Sequence, residues 1–132
     1  MIDNDARFVN QQVPLNIIAG HTYQVNLTFL NNGSQPWEED RFYSLVSVNP
    51  IDNNIWGFGR VMMNDEEIIY PGQERKFSFF VTAPLNTGVY NFQWQMLHEP
   101  VERFGSLSDN LQINVMAPTL PNAPSNLLVT PL

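Results

Sequence analysis

Hydrophobic and polar residues alternate along four stretches of the chain. In residues 21–30, Tyr23, Val25, Leu27 and Phe29 alternate with Thr22, Gln24, Asn26 and Thr28. In residues 74–82, Phe77, Phe79 and Val81 alternate with Lys76, Ser78 and Thr82, and Phe80 interrupts the polar set. In residues 89–97, Tyr90, Phe92, Trp94 and Met96 alternate with Asn91, Gln93 and Gln95. In residues 111–115, Leu111, Ile113 and Val115 alternate with Gln112 and Asn114. A period of two sends successive side chains to opposite faces, so each stretch predicts a strand with one face in a core and one in water. Shorter strand candidates are residues 8–13, 16–18, 42–48, 56–61 and 67–70. No window carries a sustained helical period.

Turn residues separate these runs: Ala19-Gly20, Asn32-Gly33, Asn49-Pro50, Asp52-Asn53-Asn54, Pro71-Gly72 and Asn86-Thr87-Gly88. Short strands at this spacing predict an all-β fold, an immunoglobulin-like antiparallel β-sandwich of about seven to nine strands. Two segments look alike. Ile17-Ile18-Ala19-Gly20 leads into the strand at Tyr23, and Ile68-Ile69-Tyr70-Pro71-Gly72 leads into the strand at Phe77. Each predicts a short strand, a tight turn and a long strand, as two equivalent hairpins of one sheet.

Composition narrows the function classes. The 132 residues contain no cysteine, which removes disulfides, thiolate metal sites and cysteine nucleophiles. A net charge of −7, without a basic stripe, argues against nucleic acid and anionic membranes as partners. No apolar run approaches the length of a membrane span. Residues 1–7 are polar and lack the apolar centre of a signal peptide.

The C-terminal end differs from the rest. Prolines at 118, 121 and 124 stand among small and polar residues, a composition suited to an extended linker. Leu127-Leu128-Val129-Thr130 then begins a new apolar run that resembles the first strand of a fibronectin type III domain. The expected organisation is a sandwich over 1–116, then a proline-rich linker and the truncated start of a fibronectin type III-like domain over 117–132. The chain then reads as a piece of a longer exported protein.

Several short motifs occur in a specific order. They are Phe8-Val9, Ala19-Gly20-His21-Thr22-Tyr23, Asn31-Asn32-Gly33 with Trp37, and Asn49-Pro50 with Asp52-Asn53, Trp56-Gly57 and Gly59-Arg60-Val61. Pro71-Gly72-Gln73, Thr82-Ala83-Pro84, Gly88 with Tyr90-Asn91-Phe92, Trp94 and Met96, and Phe104-Gly105 follow. Together they resemble the four-tryptophan immunoglobulin-like domain of selective-autophagy cargo receptors, and more closely its copies in bacterial multidomain proteins. The likeness runs from Phe8 to about Val115. Trp37 and Trp94 match family tryptophans, Trp56 matches the bacterial version, and Leu27 stands where the receptors carry their first tryptophan. The resemblance implies a protein-binding domain.

Trp94 falls on the inward face of its strand and is expected in the core. Tyr90 is placed to form a tyrosine corner. Trp37, Trp56 and Phe58 lie in turn-rich segments and are the candidate binding residues. They either stack on a sugar ring or partner side chain, or cap the open ends of the sandwich. His98-Glu99-Pro100-Val101-Glu102 superficially resembles a zinc-protease motif, but the second histidine is missing and Pro100 breaks any helix. The acidic runs Glu38-Glu39-Asp40 and Asp65-Glu66-Glu67 lack the spacing of a calcium loop and read as solvated charge. No catalytic residue, metal ligand or cofactor motif is assigned. The expectation is a non-catalytic accessory module of a larger secreted or surface protein, acting as spacer and protein-interaction domain. Its partner is a protein or a polysaccharide. The alternatives are a carbohydrate-binding module using Trp37, Trp56 and Phe58, or a structural subunit of an appendage or virion.

Overall fold

A computed structural model describes residues 2–118, so the expected linker and fibronectin-like start lie outside the described residues except for Ala117 and Pro118. Three antiparallel strands, β1 (Ala6–Gln12), β3 (Thr22–Asn31) and β8 (Glu74–Thr82), form one sheet in the order β1-β3-β8. The other sheet runs β2 (Asn16–Ile18), β11 (Leu111–Met116), β9 (Gly88–His98), β5 (Tyr43–Val48) and β6 (Arg60–Met62). Within it β2 lies parallel to β11 and the remaining pairs are antiparallel. Strand β10 (Glu102–Phe104) also pairs with β9. A separate pair joins β4 (Trp37–Glu38) to β7 (Ile68–Ile69).

The period-two pattern orients the long strands as expected. Val25, Leu27, Phe29, Phe77, Phe79 and Val81 from one sheet meet Phe92, Trp94, Met96, Ile113 and Val115 from the other in one core. Tyr23, Tyr90 and Leu111 pack on its margin. The ring of Phe79 crosses the ring of Trp94 edge-on at 5.1 Å, which ties the two layers together. Leu27 is fully buried. Phe80, on the outer face, is 61% exposed.

Strand β9 is the spine of the larger sheet. Strand β5 lies along one edge over residues 93–98, and the other edge carries β11 over 88–92 and β10 over 96–98. Ser108 fills the gap between β10 and β11. Its N–H donates to the Trp94 carbonyl at 2.8 Å, and its hydroxyl oxygen accepts from the Trp94 N–H at 2.8 Å. These bonds account for a fully buried serine.

The segment before β1 is clamped by contacts far away in sequence. Asn4 is buried; its amide donates to His98 Nδ1 at 3.0 Å and to Glu102 at 3.1 Å, and its carbonyl accepts from the Tyr43 hydroxyl at 2.5 Å. Tyr43 stacks on His98 at 4.1 Å. Burial pushes the Tyr43 phenol above its usual range. Gly33 and Gly105 let this segment pass. A Cβ on Gly33 would stand 2.4 Å from the Asp3 carbonyl, and one on Gly105 would stand 2.5 Å from the Ala6 nitrogen.

Three expectations are corrected. The look-alike segments are not equivalent hairpins of one sheet: β2 pairs with β11 and β7 with β4, while the long strands that follow them pair with each other. Strand β3 already has β1 on one edge and β8 on the other, so neither short strand can fold back onto it as a hairpin partner. The candidate strand 56–61 starts only at Arg60. The Gly57 N–H bonds back to the Asn54 carbonyl at 3.1 Å, turning the chain before it can pair. Strands β4 and β10 are absent from the predicted elements, because two or three residues beside turns carry too little pattern to read.

Tyr90 makes the expected corner: its hydroxyl donates to the Asn86 carbonyl at 2.6 Å. Tyr90→Phe keeps the ring against Trp56 and removes only that bond. The expected loss is about 0.5–1.5 kcal/mol in denaturant unfolding. An unchanged midpoint would make the bond energetically silent.

Candidate binding surface

The predicted binding aromatics are placed differently from one another. Trp37 in β4 is 0% exposed and packs against Phe104 at 6.1 Å. Trp56 is 1% exposed, sits edge-on to Tyr90 and Phe92, and donates its indole N–H to the Asn91 carbonyl at 3.2 Å. Phe58 is half-buried, with its ring against Phe79 and Trp94 at 6.0 and 6.1 Å. Trp56 and Phe58 thus share one aromatic cluster and Trp37 belongs to another. The carbohydrate-stacking role is corrected for Trp37 and Trp56: neither presents a ring face to water, and stacking on a sugar needs one. Both rings belong to the main core cluster.

The turn motif around them orders a loop beside the larger sheet. The Asn53 side chain makes four bonds. Its amide donates to the Val48 and Pro50 carbonyls at 3.1 and 2.7 Å, and its oxygen accepts from the Ser47 hydroxyl and the Ile55 N–H at 3.0 and 3.1 Å. Asn53 thereby does locally what a turn of backbone would do. Arg60 closes the loop with an ion pair to Asp52 and a second to Glu99 at 3.0 Å. The hydrogen bond from Arg60 holds the Asp52 carboxyl below its usual range, and the same bond raises the Arg60 guanidinium.

This loop walls a groove of about 570 Å³ on the outer face of the larger sheet. Val48 and the β9 side chains Gln93 and Gln95 line it, with Asn49, Pro50 and Ile51 on one side and Arg103 and Leu107 on the other. Beside it lies a second apolar cluster, Val46, Val48 and Leu97, separate from the main core. Ile51 and Leu107 are 61% and 42% exposed. The two glutamines are held: Gln93 donates to the Ser108 carbonyl at 2.8 Å and Gln95 to the Gly105 carbonyl at 3.0 Å. Each amide oxygen is left without a protein donor among the described residues. The sequence does contain a signal for this face. Leu45-Val46 and Met96-Leu97 put apolar residues on both faces of adjacent strands, where a solvated sheet would alternate. The walls, by contrast, come from loops whose approach no local pattern records.

The two acidic runs, separate in sequence, come together across the β4–β7 pair. Glu38, Glu39, Asp40, Glu66 and Glu67 line one hollow of about 240 Å³. Arg41 stands 3.8 Å from Glu38, and Arg75 pairs with Glu67 at 2.9 Å, so part of the charge is neutralised. Among the described residues no three His, Cys, Asp or Glu side chains are arranged to hold a metal ion. His98 and Glu102 face each other across the β9–β10 hairpin and are engaged with Asn4. No helix among the described residues is long and apolar enough to cross a membrane.

Residues 14–116 match the family model described as the Ig-like domain from next to BRCA1 gene. No curated protein matches the chain.

Proposed function

The chain belongs to the family of Ig-like domains from next to BRCA1 gene, and from that premise we propose that it is a non-catalytic protein-interaction module whose binding face is the outer surface of the larger sheet. The observation that carries the reading is the groove over β5 and β9, where exposed apolar walls meet polar side chains already fixed by backbone carbonyls. A preformed surface of this kind loses little side-chain freedom when it binds. We further propose that the domain is the bacterial type and serves as a spacer in a longer secreted or surface protein that continues into a fibronectin type III domain. The proline-rich composition after Met116 and the apolar run at Leu127-Leu128-Val129 support that organisation.

Site-specific photocrosslinking in the native cell tests both parts. A photoreactive residue at Leu107 is expected to give protein adducts outside the cytoplasm, and one at Ser78, exposed on the opposite sheet, is expected to give few. Adducts from Ser78 alone would move the binding face. Adducts from neither position would remove the interaction role, and a chain confined to the cytosol would overturn the surface location.

A further inference from the structure

We propose that the groove on the larger sheet binds an extended peptide that carries an acidic side chain close to an aliphatic one. This deepens the interaction reading above and rests on it. Three features of the groove point to that occupant.

The first is the charge at Arg103. Its side chain is exposed and lines the groove, and among the described residues no carboxylate stands within ion-pair distance of it. Nearby carboxylates are committed elsewhere. Asp52 and Glu99 both pair with Arg60, and Glu102 accepts from Asn4. In a chain of net charge −7, this guanidinium is the groove's one charged side chain; its field reaches Asp52, but it forms no ion pair among the described residues. Its planar fork matches a carboxylate through two parallel hydrogen bonds.

The second is the spacing of acceptors. Gln93 and Gln95 stand two residues apart on β9, so they project from the same face about 7 Å from each other. Their amide nitrogens are tied to the Ser108 and Gly105 carbonyls, which leaves the oxygens as the groups without a protein donor among the described residues. An extended peptide repeats its N–H groups along one side at that same interval of two residues. A folded or helical ligand does not.

The third is the apolar wall. Leu107 and Ile51 remain in water on opposite sides of the groove, with Val48 between them. One aliphatic side chain from the peptide would cover this surface. The groove has a volume of about 570 Å³. The groove is open, so it suits a chain running through it better than a captured terminus.

The test is to pan a library of random linear peptides on the whole chain, then measure the selected peptides by calorimetry against wild type and variants. The expected result is that selected sequences share an aspartate or glutamate near an aliphatic residue. Arg103→Gln is expected to weaken them about tenfold or more, the size of a lost charge-assisted hydrogen bond. Leu107→Asn is expected to weaken them too, and Arg7→Gln, on the opposite sheet, to leave them unchanged. Thermal unfolding of each variant shows that the fold is intact, since Arg103 and Leu107 are exposed. Binders without acidic enrichment, or binders indifferent to Arg103→Gln, would overturn this inference while the interaction reading stands. A folded domain that selects no peptide at all would overturn this inference, while protein adducts at Leu107 decide the interaction reading separately.

Discussion

Asn31→Asp is expected to cost the fold about 3–5 kcal/mol at neutral pH, although the two side chains have nearly the same shape. Asn31 closes β3 and is completely buried. Its amide nitrogen donates to the carbonyls of Gln35 and Ile69 at 3.0 and 2.9 Å, and its oxygen accepts from the Gly33 N–H at 3.1 Å. Its backbone is also used, bonding Gln73 and Gly72. One side chain thus fastens two segments, the 33–35 turn and β7, to the end of a strand. An ionised carboxylate accepts only, so the substitution aims an oxygen at two carbonyl oxygens and buries an unpaired charge. The new carboxyl would titrate higher in the folded chain than in the unfolded one. At a pH below its unfolded value, about 3.9, both states are protonated and the ionisation penalty is absent. As pH rises past that value, the unfolded chain ionises first and the penalty grows. The gap to wild type in urea unfolding is therefore expected to narrow as pH falls from neutral toward about 4. A variant no less stable than Asn31→Ala, with a gap that does not change with pH, would show that the site is open to water and the charge argument mistaken.

Trp94→Ala is expected to lose about 3–5 kcal/mol by leaving a cavity where the two sheets meet. Trp94 is 0% exposed and touches the rings of Phe79, Phe92 and Phe58. A domain of this size holds about 5–15 kcal/mol in total, so the loss is a large share of it. Trp94→Phe refills most of the space and also removes an indole N–H that has no acceptor among the described residues. It is expected to cost clearly less than alanine. The two variants in denaturant titration, read by circular dichroism, separate cavity from chemistry. If Trp94→Ala lost no more than Leu107→Ala, Trp94 would not be the contact between the sheets.

The same contrast between neighbours and distant partners explains how much could be read from the chain alone. The alternation at Val25-Leu27-Phe29, Phe77-Phe79-Val81 and Phe92-Trp94-Met96 identifies core faces, because in a strand the direction of each side chain follows from its position in the chain. The fold class and the tyrosine corner at Tyr90 were legible for the same reason: both depend on short, contiguous signals. Strand partners were not legible. Ile17-Ile18 and Ile68-Ile69 read alike, yet one joins β11 and the other joins β4. That choice depends on which edge is free once the sheets have closed.

The candidate site divides along the same line. The all-β class, the core faces, the acidic balance and the lack of cysteine are all readable from the chain's own residues. The burial of Trp37 and Trp56, the meeting of Asn4 with His98 and Glu102, and the groove bordered by Ile51, Gln95 and Arg103 come from the folded arrangement. Burial of an aromatic ring in a loop depends on what folds over it, and a groove wall depends on two loops approaching each other. Neither is encoded in the period of a strand, because both arise from pairing and packing between residues that the chain keeps far apart.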